Sequence, residues 1–106
     1  MSDDVRVVEL TGEYDMSNAH ELSTALNMTN SPDRVVADLR SVTFMDSAAL
    51  SQLLLAHRSR REGGGTLVLL LAGTGAVRRI VQITRIDEVL PCSESYADAL
   101  SLAATP

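Results

Sequence analysis

The stretch Asp38-Leu39-Arg40-Ser41-Val42-Thr43-Phe44-Met45-Asp46-Ser47-Ala48-Ala49-Leu50 holds the transition on which the fold of this chain turns. It opens inside the segment Arg34 to Leu39, whose Val35-Val36-Ala37 core is a short apolar run suited to a buried strand. Arg40 to Asp46 reads as a connection. A helix then starts at Asp46 or Ser47, because Leu50, Leu53, Leu54 and His57 recur at helical spacing on one face. Leu53 and Leu54 are expected among the most buried residues. Arg58, Arg60 and Arg61 crowd the last turn, where cations suit the helix dipole, and Gly63-Gly64-Gly65 ends it.

Outward from this transition, strands and helices continue to alternate. Upstream, Val5 to Leu10 reads as a strand and Thr11-Gly12-Glu13 as a turn. Ser17 or Asn18 can cap a helix, with Glu21 placed as in a capping box. Leu22, Ala25, Leu26 and Met28 form its apolar stripe, and Asn30-Ser31-Pro32-Asp33 stops it. Downstream, Thr66 to Leu71 is a second continuous apolar run. Ala72 to Gly75 is a loop, and Ala76 to about Thr84 a helix carrying Val77, Ile80 and Val81. Ile86 to Leu90 reads as a short extended link, and Ser93 or Ser95 starts a last helix through Tyr96, Ala99 and Leu102. The expectation is an α/β domain: a mixed, mostly parallel sheet of about four strands with about four helices.

Composition bounds the function. The 106 residues fit one domain, residues 1–106, and an apolar fraction of 45% supports a core. Aromatics make up only 3%, which disfavours a stacking platform for single-stranded nucleic acid. The net charge of −5 disfavours a phosphate-backbone binder. Charge is segregated: residues 1–33 carry a net of −6, residues 34–85 a net of +5 and residues 86–106 a net of −4. Such asymmetry steers a partner without naming it. No apolar run approaches the ~20 residues of a membrane span, so direct membrane contact is not expected.

Little in the chain suggests catalysis. The single cysteine, Cys92, forms no internal disulfide and completes no zinc site with two distant histidines. It reads as a packed or semi-exposed thiol in a reducing, cytoplasmic setting. His20 and His57 lack a nearby Ser or Cys partner, so neither metal nor catalytic residues are expected. Gly73-Thr74-Gly75 follows a strand and opens a helix, the position of a phosphate loop. It lacks the third glycine of a dinucleotide fingerprint and the lysine of a P-loop, so it reads as a connection, and no cofactor is expected. That leaves Asp46 and Ser47. Either residue reads as a helix N-cap worth about 1 kcal/mol. The same geometry also suits a phosphoserine, whose charge near −2 would lie at the positive end of the helix dipole.

At this point the chain resembles a known family. Asp38-Leu39, Val42 and Phe44-Met45-Asp46-Ser47-Ala48-Ala49-Leu50 resemble the D-L-s-x-V-x-F-x-D-S-(S/T)-G-L signature of STAS domains, especially bacterial anti-sigma factor antagonists. Leu10-Thr11-Gly12-Glu13-Tyr14-Asp15 is similar to their early L-x-G-E-x-D segment. Gly64-Gly65-Thr66-Leu67 matches their glycine turn, and Val77-Arg78-Arg79-Ile80 their following helix. The resemblance implies a non-enzymatic regulator of transcription. Unphosphorylated, it would bind an anti-sigma factor that is also a serine kinase of the GHKL ATPase type, freeing a sigma factor. The kinase would phosphorylate Ser47 and release the antagonist, and a serine phosphatase would reset it. Asp15, Asp46, Ser47, Ala48 and Ala49 are the implied partner-binding residues. Ala48 and Ala49 depart from the pattern's Ser/Thr and Gly. That departure keeps open an alternative, a non-switching STAS subunit of a lipid-transport or stress-sensing complex.

Overall fold

The computed structural model describes residues 5–27 and 34–104. Strands β1 (Val5–Tyr14), β2 (Arg34–Met45), β3 (Thr66–Leu70) and β4 (Cys92–Ser93) alternate with helices α1 (Ala19–Asn27), α2 (Ser47–Glu62), α3 (Ala76–Thr84) and α4 (Tyr96–Ala104). The sheet order is β1-β2-β3-β4, and every pairing is parallel. Neighbours in sequence are thus neighbours in the sheet. Crossovers of one hand then carry the connecting helices to one face. Parallel strands need cover on both faces, which explains the unbroken apolar runs.

The period of two along each strand divides the core. Val35, Ala37 and Leu39 of β2, with Leu67, Leu69 and the adjoining Leu71, face the same core as Leu22 and Leu26 of α1, Leu50 and Leu53 of α2, and Val77 and Val81 of α3. Val36, Val68 and Leu70 point the other way, where α4 covers them with Ala99 and Ala103. The front face thus has three helices and the back face one.

Four expectations need correction. Thr11–Glu13 is no turn: β1 runs on to Tyr14, with register shifts between Glu9 and Thr11 and between Gly12 and Glu13. Gly12 takes φ +88°, a conformation glycine adopts without a Cβ penalty. Arg40–Met45 is no connection, since β2 continues through it and pairs Met45 with Tyr14. Ile86–Leu90 is not extended: Ile86–Glu88 forms a 3-10 turn anchored by buried Ile86 and Leu90, and the fourth strand is Cys92–Ser93. Within α2, Leu53 is fully buried and Leu50 nearly so, while Leu54 is only half-buried at the core's edge. Met28 and Asn30–Asp33 lie outside the described residues.

Several polar residues act as braces. His57 is buried, and its Nδ1 accepts the Leu67 amide at 3.2 Å, joining α2 to the start of β3. Burial, helped by nearby Arg61, holds its pKa below the ordinary value. Arg60 stands in the last turn of α2, as expected, and also ties the helix to its surroundings. It is buried, and its guanidinium donates to the carbonyls of Ala56 (3.2 Å) and, across to α1, Leu26 (2.6 Å). Beyond α2, the Gly65 amide reaches the Arg60 carbonyl at 2.8 Å, and Gly64 takes φ +89°. Ser95 caps α4 as expected, its hydroxyl accepting the Asp98 amide at 3.2 Å.

Candidate functional site

The far halves of β1 and β2 extend beyond the end of β3 as a two-stranded ribbon, and the site stands at its tip. Parallel pairing brings both strands to an end side by side: Tyr14 lies opposite Met45, and the Asp46 amide donates to the Tyr14 carbonyl at 3.2 Å. Asp15 and Asp46, 31 residues apart in sequence, therefore begin neighbouring connections at one edge of the molecule. This is the carboxyl end of a parallel sheet, where α/β proteins habitually place their sites.

Asp46 joins the two connections. It has extended backbone, φ −109° and ψ −174°, as an N-cap residue requires. Oδ1 accepts the Ala49 amide at 3.1 Å and caps α2, while Oδ2 accepts the Met16 amide at 3.0 Å. One carboxylate thereby satisfies two otherwise orphaned donors.

The β1–α1 loop has its own polar frame. Asp15 Oδ1 accepts the Ser17 amide at 2.9 Å and the Ser17 hydroxyl at 2.5 Å. These bonds, the hydroxyl's foremost, hold the Asp15 carboxyl below its usual range. The Asn18 amide side chain faces back into the loop, accepting from the Asp15 amide at 2.8 Å and donating to the Glu13 carbonyl at 2.9 Å. Ser17 and Asn18, read in the sequence as helix caps, thus brace the loop with their side chains instead. Asn18 serves α1 through its carbonyl, which accepts the Glu21 amide at 2.9 Å.

With capping done by Asp46, Ser47 is left at the first position of α2 with an exposed side chain. Its hydroxyl makes no hydrogen bond among the described residues, although its carbonyl accepts from Ser51 Oγ at 3.0 Å. Ala48 is half-buried beside it. Ala49 corrects an expectation. It is fully buried in the front core, so its side chain is unavailable to a partner, and it enters the site only through the amide held by Asp46. Met16, which residue-type reasoning passed over, is 80% exposed at the rim, and Phe44 is exposed on the same ribbon. The signal for the loop was the Asp15-x-x-Asn18 spacing, in which two short polar side chains can fold back on their own backbone.

The other candidates are occupied by structural work. Asp38 is buried and takes Arg40 bidentately, Nε to Oδ1 and Nη2 to Oδ2, each at 3.0 Å. That pairing holds Asp38 below the ordinary carboxylate range. Gly73-Thr74-Gly75 opens α3 beside a cleft of about 240 Å³ lined by Thr43, Thr74 and the two arginines Arg40 and Arg78. Both cations are engaged, Arg40 with Asp38 and Arg78 with Glu94, each at 3.0 Å. Burial pushes the Cys92 thiol up to about 11, which keeps it protonated and inert. His20 is exposed on α1.

Residues 1–91 match the family profile described as "Mlab, STAS domain". The chain belongs to the STAS domain family. A STAS-domain containing protein of Pseudomonas aeruginosa (strain UCBPP-PA14) is 29% identical over 87 residues, covering 81% of this chain and 85% of that protein. Among solved structures, an anti-sigma factor antagonist from Mycobacterium paratuberculosis superposes with a TM-score of 0.83 at 28% identity, covering 99% of this STAS domain and 92% of that chain. A sulfate transporter family protein from Wolinella succinogenes shares the fold with a TM-score of 0.71 at 21% identity, covering 93% and 84% of the two chains. One architecture is thus shared by an anti-sigma factor antagonist and a sulfate transporter family protein, and function must be argued from the site.

Proposed function

We propose that this STAS domain is an anti-sigma factor antagonist switched at Ser47, with residues 1–106 acting as one domain in the cytoplasm. The observation that carries the reading is the division of labour at the start of α2: Asp46 caps the helix, and Ser47 stands exposed beside it. The antagonist from Mycobacterium paratuberculosis, 28% identical with the same fold, supports it. The unmodified tip, with Asp15, Met16, Asp46, Ser47 and Ala48 on or near its surface, binds an anti-sigma factor that is also a serine kinase. The domain itself performs no catalytic step and touches no nucleic acid.

The switch follows from electrostatics. A kinase must bring the Ser47 hydroxyl in line with an ATP phosphate, which an exposed first-turn side chain permits. The phosphate adds a charge near −2 at the positive end of α2, so the fold tolerates it. The same charge enters a surface that must lose water on binding and already holds Asp46, so the partner is released. A phosphatase restores the unmodified form. The test uses the kinase that co-purifies with the chain. Incubation with ATP is expected to place one phosphate on Ser47 by mass spectrometry, and the product is expected to lose binding. A phosphorylated form that binds as well as the unmodified one removes the switch.

A second reading is favoured by Ala48-Ala49, which lacks the second hydroxyl of the signature, and by the "Mlab" description of the family profile. Here the domain is a non-switching subunit of a larger assembly, and Ser47→Asp leaves assembly unchanged. A transporter rather than a kinase among the co-purifying proteins identifies that case.

A further inference from the structure

One carboxylate fastens two pieces of the tip together. Asp46 Oδ1 holds the Ala49 amide of α2, and Oδ2 holds the Met16 amide of the β1–α1 loop. The loop is otherwise braced from within. Asp15 accepts from the Ser17 amide and hydroxyl, and the Asn18 side chain spans the Asp15 amide and the Glu13 carbonyl. All of those partners lie between Glu13 and Asn18. Among the described residues, the Met16 bond is therefore the only hydrogen bond from the turn Asp15–Asn18 to the start of α2. The loop is a self-contained unit on a single tether, and it carries the exposed Met16 side chain.

The first turn of α2 has spare donors. Asp46 reaches the Ala49 amide, while the amides of Ser47 and Ala48 have no partner among the described residues. A phosphate on Ser47 brings three acceptor oxygens and a charge near −2 to those amides, which form a ready site for an anion. Asp46 is the neighbouring residue in the chain. Two anions then compete for one set of donors. The phosphate has the greater charge and more acceptors, and like charges repel, so the carboxylate yields. Its two oxygens are fixed in one plane. A rotation that takes Oδ1 away from Ala49 also withdraws Oδ2 from Met16.

We propose, resting on the reading of Ser47 as the modified residue, that Asp46 is a positioning residue that relays charge at Ser47 to the β1–α1 loop. Phosphate takes over the start of α2, Asp46 turns away, and the loop is released with its inner bonds intact. The switch then has two components. Charge enters at Ser47, and the Met16 side chain leaves its place at the rim. Asp46 thus does more than cap a helix: it makes the loop's position depend on the state of the next residue.

The test installs phosphoserine in place of Ser47 in the full chain during translation, so no kinase takes part. Amide hydrogen exchange is then read residue by residue by NMR, with circular dichroism confirming that each form is folded. Phosphorylation is expected to accelerate exchange of the Met16 amide by at least ~5-fold, while the Asp15 and Ser17 amides, held inside the loop, change less than about 2-fold. Asp46→Ser keeps an N-cap oxygen for Ala49 but is too short to reach Met16. It is expected to accelerate Met16 exchange without phosphate, and phosphate is expected to add nothing further. A Met16 amide as protected in the phosphorylated chain as in the unmodified one overturns the relay. So does phosphate that still accelerates Met16 in Asp46→Ser, since the effect then bypasses the carboxylate. Equal acceleration at Asp15, Met16 and Ser17 means that the loop melts, and overturns its release as a unit. Failure of the relay and of the switch are told apart: a protected Met16 amide removes the relay alone, and a phosphorylated chain that binds like the unmodified one removes the switch alone.

Discussion

The two halves of β2 are one strand built to different rules. Val35–Leu39 lies between β1 and β3, buried on both faces, and is held by apolar packing. Ser41–Met45 has only β1 beside it, crosses a register shift, and exposes Ser41, Thr43 and Phe44. Val42 and Met45 still anchor this second half in the front core, and polar groups frame its end: the Asp46 carboxylate, the Asn18 side chain and the Asp15 turn. The first half is thus enclosed on both faces, whereas the tip turns an outer surface to solvent, where we propose that the partner binds. Substitutions near Leu39 are therefore expected to change stability, and those near Ser47 to change binding.

The largest expected effect tests the packed half. Leu53→Ala, in the core beneath β2, is expected to lower unfolding free energy by about 2–5 kcal/mol, measured by urea denaturation. The binding of the fraction that remains folded is expected to be unchanged. At the tip the order reverses. Ser47→Asp is expected to weaken partner binding by about 10-fold or more while stability stays within about 0.5 kcal/mol, and Ser47→Ala is expected to bind constitutively. Asp46→Ala breaks the clean division, because this residue belongs to the site and caps α2. A loss of about 1 kcal/mol is expected, with Asp46→Asn retaining most of it, read by thermal unfolding.

The smallest effect is in the pH dependence. His57 has a folded pKa below its ordinary value, so the folded state prefers the neutral ring. Its contribution is present above the unfolded pKa of about 6.5 and fades as pH falls through the lower folded value. Asp38, also held low, adds a second loss further down, beginning near its unfolded pKa of about 3.9. His57→Gln is expected to flatten the stability profile as pH falls below about 6.5, while leaving the acid limb below about pH 4 in place.

The same contrast decides what was legible in the sequence. Val35-Val36-Ala37 and Leu67–Leu71 announced themselves as strands because cover on both faces produces unbroken apolar runs. Arg40–Met45 did not, since an exposed face and a register shift scatter its apolar residues and imitate a connection. Cys92–Ser93 is too short to show any period. In the site, Asp46 and Ser47 stood out through the motif and its place at a helix start. The bond from the Met16 amide to Asp46 was invisible, because it depends on which strands lie side by side. The resemblance to the motif implies Ala49 as a partner-binding residue. Its inward direction depends on where the core lies around the helix, which the motif does not encode.

The single helix on the back of the sheet has a consequence for biosynthesis. As the chain leaves the ribosome, α1, α2 and α3 emerge in time to cover the front face, while Val36, Val68 and Leu70 wait for Ala99 and Ala103. Until α4 is released, the nascent domain carries an open greasy flank. That interval is when it is most exposed to aggregation and most in need of a chaperone.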